Sequence, residues 1–298
     1  MKYILLLAFL AICTLAGAQN IKDNKTLYRI ETVDGNEYVG TIMLDSADIF
    51  IMKTASLGEI KIRKSDVKRM FEVSKTEIKG GELWFDNPQA TRYFWQGNGY
   101  GLKKGEGYYQ NVWVFFNQFS YGITDNLSIG AGIVPLFLFA GASTPVWITP
   151  KLSIPIVEDK FNIGAGALIG TVIGEENAGF GIAYGTTTVG NRNTNVSLGV
   201  GYGYVSGEWA NVPTFSLSAM IRTGQRGYIL TENYFIGTAD ENAIILFVGG
   251  RRLIKNSGLD FGLMIPGNTG STFFAIPWLG LTIPFGNTYV LNVKTQNN

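Results

Sequence analysis

The chain of 298 residues contains no histidine and one cysteine, Cys13. Without an imidazole there is no Ser-His or Asp-His general base, and hydrolases built on one are excluded. Metal chemistry would have to use oxygen ligands alone. The one acidic cluster of that kind, Gly174-Glu175-Glu176-Asn177, reads as an ordinary acidic loop. No paired-carboxylate motif stands out. The expectation is a non-enzyme with no catalytic residue, no cofactor and no metal. Charge of one sign is also missing: the formal net charge is +1, so nothing points to a nucleic-acid partner.

The only long apolar run, Ile4–Leu15, is too short for a comfortable membrane helix. Lys2 precedes it and the small residues Ala16-Gly17-Ala18 follow it, so residues 1–18 read as a signal peptide. Cys13 lies within that segment. The mature chain is then expected to carry no thiol and no disulfide, which suits an exported fold held by strand pairing.

What the sequence has is short alternating strands. Residues 19–25 are polar and read as a disordered start. Thr26–Val33, Glu37–Leu44, Ile49–Ala55, Gly58–Lys64 and Ser65–Val73 alternate and are punctuated by Asp34-Gly35-Asn36 and Asp45-Ser46. That is the hairpin signature. Five short strands in roughly fifty residues predict a small β domain over 26–73, similar in pattern to SH3-like or Sm-like barrels. Its basic stretch Glu59–Arg69 has two readings: contact with an anionic periplasmic envelope polymer or protein, or a solvated strand face, which is the commoner case. Residues 74–89 read as a linker.

From Ala90 the charges thin out and the strands lengthen. The phrase "DNLSIGAGI" at Asp125–Ile133 returns as "DKFNIGAGA" at Asp159–Ala167, as "TNVSLGVGY" at Thr194–Tyr202 and, more faintly, as "SGLDFGLMI" at Ser257–Ile265. In every copy one face is apolar (Leu127, Ile129; Ile163, Ala165; Leu198, Val200; Phe261, Leu263). The other face is small or polar (Ser128, Gly130; Gly164, Gly166; Ser197, Gly199; Asp260, Gly262). A phosphate loop would not recur with strand alternation. In a soluble sandwich the apolar face packs a core; in a membrane barrel it meets lipid. Three features favour the barrel. They are the signal segment, the turn spacing of roughly 30–35 residues, and aromatics near strand ends (Trp113, Phe115, Phe116, Tyr121, Trp147, Trp209, Trp278) that suit interfacial girdles.

The stretch Asn87–Asn111, "NPQATRYFWQGNGYGLKKGEGYYQN", followed by "SYGITDNLSIGAGI", resembles a group of small, mostly uncharacterised outer-membrane β-barrel proteins of Gram-negative bacteria. The resemblance implies a fold and an outer-membrane address. It implies no reaction, and no functional residue follows from it.

The expected architecture is all-β: an antiparallel transmembrane β-barrel of about 12 strands over 90–286, preceded by the small periplasmic domain and followed by a tail, 287–298. Ten strands flank the turns at 124–126, 157–160, 190–195, 223–227 and 255–258. Thr272–Phe285 and Ala90–Leu102 complete the count. The opposite connections, one of them Lys103–Gly107, all look short. Charges embedded in strands should point inward, since Arg or Lys facing lipid costs about 2–4 kcal/mol at midplane. The expected lumen-lining residues are Arg222, Glu232, Asp260, Gly130, Gly164 and Gly199. They read equally as a selectivity ring or as an internal network plugging a narrow barrel. Arg251 and Arg252 are adjacent, so only one can face inward without a bulge. The functional expectation is a passive pore or structural envelope protein in contact with outer-membrane lipid. The alternative is a binding module whose N-terminal domain docks a partner while the barrel anchors it.

Overall fold

The computed structural model describes residues 26–73, 78–79, 82–237, 242–267 and 274–286. The signal segment, the start at 19–25 and the tail at 287–298 lie outside the described residues. The chain divides into two units.

The first unit is a five-stranded antiparallel sheet: β1 (Leu27–Thr32), β2 (Glu37–Asp45), β3 (Ile49–Thr54), β4 (Gly58–Arg63) and β5 (Val67–Val73). Strand order is β4-β3-β2-β1-β5, with a 3-10 turn at Lys64–Asp66 ahead of the last strand. Alternation puts Ile30, Phe50, Met52 and Ile62 into its core. The β1–β2 turn needs Gly35 at φ 87°. Asp34 locks that turn by accepting hydrogen bonds from Thr32 Oγ1 and from Asn36 Nδ2, the latter at 2.7 Å. The basic stretch is partly paired: Lys64 lies 2.6 Å from Asp45 and Lys68 3.3 Å from Glu31.

The second unit opens on a short ladder, β6 (Ile78–Lys79) with β7 (Glu82–Leu83). After an irregular stretch it becomes a continuous antiparallel ladder. The strands are β8 (Glu106–Val112), β9 (Phe116–Gly122), β10 (Leu127–Ile133), β11 (Thr144–Ile148), β12 (Lys151–Val157), β13 (Phe161–Ile173), β14 (Phe180–Gly190), β15 (Asn195–Val205), β17 (Thr214–Arg222), β18 (Gly227–Gly237), β19 (Asn242–Ile254), β20 (Ser257–Pro266) and β21 (Ile276–Gly286). A two-residue strand, β16 (Glu208–Trp209), pairs only with the end of β15. One five-residue helix, α1 (Pro135–Phe139), sits between β10 and β11.

β21 pairs with β8, so the ladder closes on itself. β11 and β12 both pair with β10 and with β13, and the register runs unchanged across Thr149-Pro150. They are two halves of one strand, interrupted because Pro150 has no N–H to give the ladder. The result is a closed barrel of twelve strands. An even count returns both ends of the barrel to one mouth. That mouth carries the short turns after β9, β12, β14, β17 and β19.

The wall alternates along every copy of the repeated phrase. Leu127, Ile129, Leu198, Leu217, Ile229, Val248, Phe261 and Leu279 are exposed and form an apolar outer belt. Ser128, Ser197, Ser216, Ser218 and Thr282 are buried inside. Arg251 is buried and Arg252 exposed, with no bulge between β18 and β19.

Two expectations need correction. Ala90–Leu102 is not a wall strand. It contributes only one isolated bridge, Arg92 with Gly97, and its residues are among the most buried in the chain. The twelfth strand is Glu106–Val112, so Lys103–Gly107 is no far-side connection and lies at the turn mouth, where Gly105 N donates to Gly122 O. Trp147 and Trp278 are not girdle residues either: both are buried in the lumen.

Candidate functional site

The lumen is occupied by the chain itself. Residues 86–102 enter at the turn mouth and run up the inside. They reverse in a tight turn where Tyr93 N donates to Gln96 O at 3.0 Å, then return to the same mouth. Gln89, Tyr93, Phe94 and Asn98 have no exposed surface. The segment packs as a hairpin-shaped core inside the barrel.

Charged wall side chains hold it, among them Lys151 and Arg192, which donate to the carbonyls of Thr91, Tyr100 and Gly101. Glu232, on β18, is fully buried. Its Oε2 accepts three successive backbone N–H groups, from Phe94, Trp95 and Gln96, each at 2.9 Å. Its Oε1 accepts from Tyr234 Oη at 2.8 Å. A buried carboxylate is tolerated only with such compensation, and here the apex of the inner segment supplies most of it.

Arg251, on β19, uses every donor of its guanidinium. Nε and Nη2 donate to Asp260 Oδ1 and Oδ2 at 2.6 and 2.9 Å. Nη1 donates to Asn87 Oδ1 and to Gln89 O at 3.1 and 2.8 Å, and Nη2 also to Tyr93 O at 2.7 Å. Asp260 orients the arginine, and the arginine grips the ascending limb of the segment.

Arg222 acts at the mouth. Its Nη2 donates to Phe85 O at 2.6 Å and its Nη1 to Asn193 Oδ1 at 3.0 Å. Its guanidinium also lies over the ring of Tyr228. On the descending limb, Thr188 Oγ1 accepts from Gly99 N at 2.6 Å, and Tyr100 Oη donates to Gly190 O at 2.5 Å.

The expected glycines stand where the wall approaches this segment. A Cβ at Gly164 would lie 3.4 Å from Asn98 O and Gly99 Cα. A Cβ at Gly199 would lie 2.8 Å from Gln96 Nε2 and 2.4 Å from Ser216 Oγ. At Gly130 it would meet Thr149 Oγ1 at 2.3 Å, and at Gly132 the indole of Trp147 at 2.2 Å. The glycines are therefore the low points of the wall, onto which the inner segment and inward aromatics settle. Trp95 of the segment's apex stacks with Trp147, Trp278 and Phe116, and Phe247 joins them through Trp278.

Sequence reasoning missed the inner segment and Arg251 as its main clamp. The available signal was the run of aromatics Tyr93-Phe94-Trp95, flanked by Gln89 and Asn98 and lacking period-2 alternation.

No protein-family model and no curated protein matches the sequence. Among solved structures, the KdgM porin is similar at 9% identity and a TM-score of 0.45, over 61% of this chain and 98% of that one. OmpT from the outer membrane of Vibrio cholerae is similar at 10% identity and a TM-score of 0.32, over 88% of this chain and 94% of that one. Neither likeness bears on what this chain does. The barrel stands on its own strand ladder.

Proposed function

We propose that the chain is an outer-membrane barrel protein of structural kind, closed along its axis, with its N-terminal β unit in the periplasm. The outer apolar belt supports the membrane reading, because soluble proteins rarely expose so continuous an apolar surface. The short turns at the mouth shared by both barrel ends support placing that mouth on the periplasmic side.

Of the two expected roles, pore and envelope scaffold, the scaffold is favoured by one observation: Glu232 binds three consecutive backbone N–H groups of a segment that fills the lumen. An open channel has no use for such a clamp. The test is reconstitution of the full chain into planar bilayers. The expected record is silent; reproducible stepwise currents would overturn the proposal. Envelope fractionation with a heat-modifiability gel tests the address, and recovery in the soluble fraction would sink it.

A second role rests on the first unit. Its four-strand meander, whose first strand takes the fifth on its other edge, supports the SH3/Sm-like reading and a docking role. Lys61 and Arg63 remain exposed on β4 and suit an anionic envelope polymer. Co-purification of such polymer with the full chain should fall when both are changed to Glu. An unchanged yield counts against docking through this face.

A further inference from the structure

Two cations of the lumen, Arg92 and Lys151, bind only neutral groups. Arg92 gives one N–H to Gln110 Oε1, and its Nε has no partner. Lys151 Nζ donates to the carbonyls of Thr91 and Tyr100, at 3.1 and 2.5 Å, leaving its third N–H unassigned. Among the described residues, neither has a carboxylate within ion-pair distance. Arg251, by contrast, has Asp260. Arg92 and Lys151 are both half-buried, and two cations lining one space without a counter-charge suit an anion.

The space for one is present. A chamber of about 30 Å³ lies between the inner segment and the wall, lined by Arg92, Lys151, Ser120, Ser128, Thr149 and Tyr184. About 10–15 Å³ suffices for one water, so the chamber admits a guest the size of a small ion. It adjoins a larger cup of about 100 Å³ on the far side of the segment's apex, and the two share Arg92, Gly97, Thr149 and Tyr184. Among the described residues, no Asp or Glu lines either space. Gly97 keeps the partition open: a Cβ there would lie 3.2 Å from Tyr184 Oη and 3.3 Å from Lys151 Nζ, so both donors face the same gap.

We propose that the lumen contains a small-anion site, with the charged group held between Arg92 and Lys151 and supported by the hydroxyls of Tyr184, Thr149, Ser120 and Ser128. The site takes halides and the head of a small oxyanion. It requires no conduction, so it stands or falls separately from the silence of the closed barrel.

Crystals of the full chain, soaked in parallel in sodium bromide and sodium selenate, test the site by anomalous scattering. The expected result is a bromide peak in the inner chamber in contact with both Arg92 and Lys151, or a selenate peak whose oxygens reach both cations beside Gly97. The peak should be lost in the double variant Arg92→Gln, Lys151→Met. It should also be lost in Gly97→Ala, which keeps both charges and fills the gap; heat-modifiable migration confirms that each variant folds. Absence of any peak against either cation in the unaltered chain, or a peak that survives in the folded double variant, overturns the proposal.

Discussion

Arg251 and Asp260 face each other directly across β19 and β20 and close a bidentate ion pair, 2.6 and 2.9 Å, with both side chains buried. The pair is more than a wall bridge, because the remaining donors of the arginine reach the inner segment at Asn87, Gln89 and Tyr93.

Breaking that pair from one side leaves an uncompensated buried charge. Arg251→Met should destabilise the folded barrel by about 3–5 kcal/mol. Adding Asp260→Leu should recover part of the loss, because the orphaned carboxylate is gone. Urea titration of the heat-modifiable form measures both. Equal losses in the single and double variants would show that the pairing is not what matters.

Glu232 is the fastening of the apex. Glu232→Gln keeps one acceptor oxygen but loses the charge, and each charge-assisted hydrogen bond is worth about 1.5–3 kcal/mol. Glu232→Ala removes the acceptor for three backbone N–H groups. Protease sensitivity of the apex, residues 93–97, should rise in the order wild type, Gln, Ala, and bilayer recordings of the Ala variant should show intermittent openings. An apex equally protected in all three would mean that packing alone holds it.

The low points of the wall should not accept bulk. Gly164→Trp and Gly199→Trp would drive into Asn98–Gly99 and Gln96, so the yield of heat-modifiable barrel should drop severalfold. Leu198→Trp lies next door on the outer face, where Leu198 is 61% exposed, and should assemble normally. Reversed outcomes would mean that inner and outer faces have been exchanged, since a slip of one residue swaps them.

Asp34 gives the first unit a pH dependence. The Thr32 hydroxyl, first among its hydrogen-bond donors, holds its carboxyl below the ordinary 3.8. A depressed folded pKa means a stabilisation that is present above the unfolded value and lost as pH falls through the folded one. In carbon-13 spectra of Asp-labelled full chain, Asp34 should titrate below the usual Asp range, and Thr32→Val should move it upward. An unchanged midpoint in the variant would rule out Thr32 as the cause.

Much of the wall was legible in the sequence, and its contents were not. The repeated phrase alternates in one phase because each copy enters the barrel from the same mouth: Leu198 turns outward and Ser197 inward. The adjacency of Arg251 and Arg252 already required that they part. By composition, however, Ala90–Leu102 is as aromatic and glycine-rich as the wall, and its one local mark is the unalternating run Tyr93-Phe94-Trp95. Its position follows from partners more than a hundred residues away, such as Glu232 for Phe94. Conversely, Glu106-Gly107 lies in a charged Gly-Glu-Gly run and reads as the end of a connection until Gly286 and Phe285 pair with it across the closing seam.

The single-mouth path of the inner segment has a topological consequence. Phe85 meets Gln225 and Gly105 meets Gly122, both at the turn mouth, so the segment between them is a loop tucked into a ring rather than a thread passed through it. Its attachments to the ring described above are made by side chains: Glu232, Arg251, Lys151, Thr188. A tucked loop can be drawn out and put back without opening the ring, whereas a thread would have to be cut or pulled through end first. Emptying and refilling the barrel therefore need not break a single rung of its strand ladder.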